Sequence, residues 1–326
     1  MASIARRMMF GISLLAAGCF FADRKAHAQA WPSQQIRLIC PFPAGGAADL
    51  TARTLAERFG ASLGQSVFVE NKTGSNGVIG MDAVAKAKPD GYTIMMTDRG
   101  SLGINPSLYA SLPYDPVKGF AFIGVATEGP VVMIADPKLG LKSVNDLVAL
   151  AKTKAINYAS YGVGSIAQLN FEAFNGRAGI KMVHIPYKGS APAALAVIQG
   201  DVAVSIAAPS TVLGHVKAGR VTAIGVNTAK ELPQFPGVAT LASAGFDDVM
   251  VSTFFALAAP AGTPQPVIAR FNAELKSALA DPAVADKLVS VGLVPAPSTP
   301  EAAAKLVESD IARFGALVRS IGIKAE

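Results

Sequence analysis

Short runs of β-branched and apolar residues alternate with stretches of helical period along most of this chain, and that alternation constrains the fold more than any other feature. Gln35–Cys40, Ser66–Glu70 and Tyr92–Met96 read as strands; Ala155–Ser160, Lys181–Ile185, Val202–Ala207 and Val221–Val226 continue the series. Between the first two strands, Ala52, Leu55, Ala56, Phe59 and Leu63 recur at helical spacing. Strands alternating with helices predict an α/β fold with parallel sheet and right-handed crossovers. The helix ends are marked as well. Ser143 with Asp146, and Ser165 with Gln168, predict capping boxes. Thr299 and Asp281 each place a cap residue before a first-position proline, and Gly200 and Gly219 sit where helices stop.

Residues 1–30 read as an export signal rather than as structure. Arg6 and Arg7 precede an uncharged apolar run, Met8–Ala22, too short for a spanning helix, and Ala28-Gln29-Ala30 predicts cleavage before Trp31. The flanks of Arg6-Arg7 fit a twin-arginine signal poorly. Ala16-Ala17-Gly18-Cys19 resembles a lipoprotein box with Ala16 where Leu is preferred. Plain secretion to the periplasm is the expectation, with a lipid anchor on Cys19 the minority reading. Four of the 29 Lys and Arg and one of the 23 acids lie in this segment, so the mature chain carries 25 bases against 22 acids, a mild +3. With no basic run, nucleic acid is not an expected partner. Cys40 alone survives cleavage, so no internal disulfide forms, and it reads as a small buried hydrophobe.

The remaining 296 residues exceed one ordinary core, and about 150 residues per domain predicts two. The pattern breaks at Glu128-Gly129-Pro130 and again around Val251–Ala258 before Pro260–Pro264. Two crossings there imply that one lobe is built from both ends of the chain.

Catalytic constellations are missing from the sequence. The mature chain holds two histidines, His184 and His215, in no metal-ligand spacing, so no metal site is expected. There is no G-x-S-x-G elbow, and Ser165 has no base beside it. Gly162-Val-Gly164-Ser-Ile-Ala167 matches a dinucleotide fingerprint, yet the strand ending His184-Ile-Pro-Tyr187 lacks the required acid. Neither cofactor nor enzymatic activity is expected.

What the loops do offer is helix N-termini. A Gly-rich turn entering a helix leaves backbone N–H groups unpaired, and with the helix dipole these attract anions, each end contributing roughly 0.3–1 kcal/mol per exposed charge and up to about 2 when partly buried. Selectivity therefore needs several ends converging. Five are present: Pro43–Asp49, Thr73–Gly77 with Ser75 and Asn76, Tyr161–Ser165, Lys188–Ser190 just after Tyr187, and Pro209-Ser210 just after Ala208. A single such loop is more simply a tight turn, but five following strand ends mark a site, because α/β ligands bind at the carboxyl ends of strands.

These loops carry a resemblance. The chain resembles the periplasmic solute receptors of tripartite tricarboxylate transporters across residues 31–326. The matching segments include Trp31-Pro-Ser, Pro41–Gly46 with Asp49, Val69-Glu-Asn71, Pro89–Tyr92, Ile104–Tyr109 and Leu112–Pro116. Asn157–Ser160, Ile185–Ser190 and Ala259–Pro264 follow in order. The resemblance implies a two-lobed Venus-flytrap fold of the type II periplasmic-binding-protein kind, divided as 31–127 plus 254–326 and 128–253. It implies a monomer that delivers a small organic carboxylate to a permease of one large and one small membrane subunit. Phe42, Ala44, Gly45, Gly46, Ala47 and Asp49 from one lobe, and Tyr161, Gly162, Gly164 and Ser165 from the other, are the implied main contacts; of the two rings placed to stack on an apolar ligand body, Tyr161 follows its strand end, while Phe42 lies in line with its strand and reads equally as core.

Three departures from the family pattern bear on the ligand. Gln168 stands where relatives often carry His, Ala207-Ala208 replace a polar pair, and Thr97-Asp98-Arg99 replace a small neutral loop. A partly apolar ligand, aromatic or longer-chain, follows as the expectation, with Arg99 meeting a second carboxylate; local pairing of Arg99 with Asp98 is the alternative. A periplasmic sensor feeding a membrane signalling protein would use the same cleft, and the sequence does not separate it from a transport receptor.

Overall fold

A computed structural model describes residues 31–246 and 249–323 of the chain. The expected export signal, Cys19 included, lies outside the described residues. Along the chain run β1 (Ile36–Cys40), α1 (Ala47–Leu63), β2 (Val67–Asn71), α2 (Val78–Ala85), β3 (Thr93–Asp98), α3 (Asn105–Leu108), β4 (Phe120–Gly129) and β5 (Val132–Ala135). Then come α4 (Val144–Ala151), β6 (Asn157–Ser160), α5 (Ile166–Ala178), β7 (Val183–Pro186), α6 (Ser190–Gln199), β8 (Val204–Ala207), α7 (Pro209–Lys217) and β9 (Thr222–Val226). The chain closes with β10 (Thr253–Pro260), α8 (Gln265–Ala280), α9 (Pro282–Ser290), β11 (Val294–Pro295) and α10 (Pro300–Ile321).

The strands form two sheets, ordered β11-β4-β10-β3-β1-β2 and β7-β6-β8-β5-β9. β1, β2 and β3 are mutually parallel, as are β6, β7 and β8. The remaining pairs are antiparallel: β10 with β3 and β4, β11 with β4, and β5 with β8 and β9. The strands that alternate with helices are parallel as expected, and antiparallel strands added to them make both sheets mixed. Period and turn residues report that a strand exists, not which neighbour it meets or in which direction, and β10 arrives from the long segment after β9 rather than from a crossover helix.

Local rules hold at the helix ends. Ser143 and Asp146 make both bonds of a capping box. Thr299 and Asp281 accept from Ala302 and Ala283, each before a proline at the first helical position. The Ser165–Gln168 box is only half made. Ser165 Oγ accepts from the Gln168 N–H at 3.4 Å, but the Gln168 side chain turns to Gly164 instead. Cys40 is fully buried, and burial pushes its thiol up to about 11.

Each sheet has its own core. Met95, Phe122, Val125 and Phe254 pack with Val307 of α10, whereas Tyr158, Phe171, Phe174 and Ile206 pack against the second sheet. A smaller cluster joins them: Ile104, Leu108, Leu169, Phe314 and Val318 bring α3, α5 and α10 together. Among the described residues, no helix is long and apolar enough to cross a membrane.

Candidate functional site

The loops after β1, β2 and β3 leave one sheet edge, because those strands are parallel; the loops after β6, β7 and β8 leave one edge of the other sheet for the same reason. The edges approach each other. Gly164, after β6, lies so close to α3 that a Cβ there would sit 2.6 Å from Leu108 Cδ1. An apolar cavity of about 280 Å³, lined by Pro209, Leu213, Val289 and Leu293, lies beside the loop that carries Ala208 and Ser210.

The β1–α1 loop presents backbone. Ala44, Gly45 and Gly46 are exposed, Ala47 is half-buried, and no side chain caps α1 at Gly46. Phe42 is half-buried, edge-on to Phe255 with ring centroids 6.0 Å apart. Asp49 turns inward. Its carboxylate accepts from Gly45 N–H at 2.9 Å, Arg53 Nε at 3.0 Å and Asn71 Nδ2 at 2.9 Å, while Asn71 also donates to the Phe42 carbonyl. Burial pushes the Asp49 carboxyl up, but the bonds from Arg53, Gly45 and Asn71 more than offset this and hold it below its ordinary value. Asp49 therefore fixes the loop's shape rather than offering its charge outward.

The β2–α2 loop is strained. It forms a 3-10 turn over Ser75–Gly77 before α2 begins, and Ser75 and Asn76 hold φ of 46° and 51°. Left-handed backbone at non-glycine residues costs on the order of 1–3 kcal/mol each and gathers at ligand sites. Asn105, fully buried, holds it: Asn76 Nδ2 donates to Asn105 Oδ1 at 2.6 Å, and Asn105 Nδ2 returns to the Asn76 carbonyl at 3.0 Å. Both Ser75 and Asn76 remain exposed.

After β3 the chain makes a π-helical turn, Gly100–Ile104, whose Ser101 N–H is taken by Asp98 at 2.7 Å. Thr97 is fully buried with its hydroxyl toward Met81 sulfur. Arg99 is 6% exposed and already has a carboxylate: Nη1 donates to Asp310 Oδ1 of α10 at 2.5 Å, with the guanidinium 4.9 Å from the Phe254 ring centroid. Its carboxylate partner is Asp310 rather than Asp98. Burial pushes Arg99 down and Asp310 up, the latter to about 6, each partner's charge pulling the other way.

In the facing edge, Tyr161 donates its hydroxyl to the Ile206 carbonyl at 2.9 Å, which ties the ring to β8. Gly162 and Gly164 take positive φ, 131° and 73°. Gln168, buried, accepts from Gly164 N–H at 2.7 Å and so braces this loop as Asp49 braces the other. Ser165 is half-buried at the α5 start; Tyr187 and Ala208 are half-buried, and Ser190 is exposed at α6, which no side chain caps. Asn71, Ser101 and Asn105 were not singled out by sequence reasoning. A signal for Asn71 and Asn105 is present, since they lie within the Val69–Asn71 and Ile104–Tyr109 segments that carry the resemblance.

The sequence of this two-edged arrangement, over residues 51–323, matches the model of the tripartite tricarboxylate transporter family receptor. The chain belongs to that family. BugT of Bordetella pertussis is 35% identical over 300 residues, 91% of this chain and 92% of that protein. Among solved structures, the R. palustris protein Rpa4515 with adipate is 30% identical with a TM-score of 0.77, covering 90% of this chain and 99% of that one. MatC from Rhodopseudomonas palustris with bound malate is 29% identical with a TM-score of 0.73, covering 88% and 100%. The receptor thus has the two-lobed periplasmic-binding-protein fold, and its relatives are solute-binding proteins.

Proposed function

We propose that this receptor, exported by residues 1–30, captures a small organic carboxylate in the periplasm and presents it to a membrane permease of one large and one small subunit. The observation that carries the reading is the uncapped α1 N-terminus behind exposed Gly45 and Gly46, in a sheet whose α3 meets the Gly164 loop of the second sheet. Backbone donors there suit an anion. The lobes comprise 31–127 plus 254–326 and 128–253; the passage from β4 to β5 through Pro130 and the return into β10 support that division. Phe42, Ala44, Gly45, Gly46, Ala47, Ser75 and Asn76 form one wall. Tyr161, Gly162, Gly164, Ser165, Tyr187, Ser190 and Ala208 form the other. Asp49, Thr97, Arg99 and Gln168 support the walls from behind. With Arg99 engaged by Asp310, recognition rests on backbone N–H groups, small polar groups and two aromatic rings, which favours an apolar body between the ligand's polar ends.

Closure stabilises the complex only through contacts that differ between open and closed forms. Thermal unfolding with adipate, malate and their diamides tests the reading. A carboxylate is expected to raise Tm while its uncharged amide does not. Equal shifts from acid and amide would refute it.

A further inference from the structure

His184, which has no metal-ligand spacing in the sequence, has a buried partner in the structure. Its Nε2 lies 2.5 Å from Ser160 Oγ. Ser160 is fully buried at the end of β6, directly before the Tyr161–Ser165 loop. The same Oγ lies 3.2 Å from the Gly162 N–H, which donates to it, and 3.0 Å from the Gly162 carbonyl. One hydroxyl thus faces an imidazole nitrogen, a backbone donor and a backbone acceptor, with a single proton to give.

The direction of that proton depends on His184. When Nε2 is unprotonated, Ser160 donates to it and accepts from Gly162 N–H. When Nε2 carries a proton, His184 donates to Ser160, and the hydroxyl proton is released to the Gly162 carbonyl, the acceptor that also takes the Ser165 N–H at 3.2 Å. We propose that Ser160 and His184 are positioning residues of the candidate ligand site, in which neutral His184 carries its proton on Nδ1 and a second proton, taken at Nε2, reverses this hydrogen bond and resets the Tyr161–Ser165 loop. The role in binding rests on the assignment of that loop to the ligand.

The surroundings suit a titrating group. The imidazole stacks on Tyr158, ring centroids 5.1 Å apart, and the Tyr158 hydroxyl donates to Glu172 of α5 at 2.5 Å. Of the charges on neighbouring elements, α5 carries Glu172 and Arg177, Lys181 and Lys188 flank β7, and β6 and α6 carry none. Burial holds the imidazole below its ordinary value of 6.5, and Glu172 pulls against it. The positive charge that appears in acid lies behind a loop built for anions, so proton and carboxylate reinforce each other, reciprocally.

The test needs no ligand. Protein labelled with ¹⁵N-glycine and ¹³C-histidine is titrated from pH 8 to 5 by NMR. The Gly162 amide is expected to move with the His184 midpoint, which lies below 6.5. In Ser160→Ala, His184 still titrates while Gly162 loses its pH dependence; in His184→Phe, which keeps a ring on Tyr158, Gly162 is likewise flat. A Gly162 amide flat through the wild-type His184 midpoint, or one still titrating at that midpoint in His184→Phe, overturns the proposal. Failure of carboxylate recognition would leave this ligand-free titration unchanged, so the two readings fail separately.

Discussion

Arg99 and Asp310, 211 residues apart, are joined at 2.5 Å beneath Phe254, and both are buried. Arg99 Nε and Asp310 Oδ2 have no hydrogen-bond partner, so the pair is held by a single charged contact. Removing one member strands the other's charge, which costs about 3–5 kcal/mol, whereas replacing both with apolar residues of similar volume is often near neutral. Asp310→Ala is therefore expected to destabilise strongly and Arg99→Met/Asp310→Leu far less, as measured by urea unfolding. Equal losses in the two variants would show that packing, not charge, holds α10 to β3.

The same pair sets a pH dependence. The folded-state Asp310 value of about 6 lies above the ordinary 3.8. The folded chain then binds the proton more readily than the unfolded chain, so this group favours folding most below about pH 4, and that contribution is lost as pH rises through about 6. His184 acts oppositely: its depressed value makes protonation in acid cost stability. Stability against pH for Asp310→Asn should lose the first trend and keep the second.

Asp49 holds Gly45 through a backbone N–H at 2.9 Å, so the loop's shape depends on a carboxylate turned in toward its own loop. Asp49→Ala is expected to weaken carboxylate binding by about tenfold or more, equivalent to about 1.4 kcal/mol, with the far sheet unchanged by hydrogen exchange. The depressed Asp49 value means its stabilising bonds are present above about pH 3.8 and lost as pH falls through the lower folded-state value. Undiminished affinity in the variant would count against the brace.

Ser75 stands at φ 46° without a Cβ-tolerant conformation. Ser75→Gly relieves strain of about 1–2 kcal/mol and loses about 0.4–1 kcal/mol to unfolded-chain entropy. A net gain on the order of 0.5 kcal/mol is expected in denaturant unfolding. Asn105→Ala should do the reverse, because it removes the two side-chain bonds from Asn105 to Asn76.

Much of this was legible in the sequence because it is local. The Ser143–Asp146 box, the glycine stops and the five loops after strand ends follow from residue type and spacing. The direction of β10, the π-helical turn after β3 and the bond from Arg99 to Asp310 depend on partners far along the chain. Asp49 and Gln168 were legible as site residues but not in role. Only the fold decides whether a short polar side chain faces a ligand or bonds back to its own loop.

An organic carboxylate held between the two sheet edges is the ligand proposed for this receptor. Native mass spectrometry of the mature protein, purified from periplasm without denaturation and then stripped and reloaded, tests it most directly. Retention of a small anion bearing at least one carboxylate is expected, displaced by excess carboxylate and weakened in Asp49→Ala. A retained cation or uncharged solute, unaffected by excess carboxylate, would contradict it.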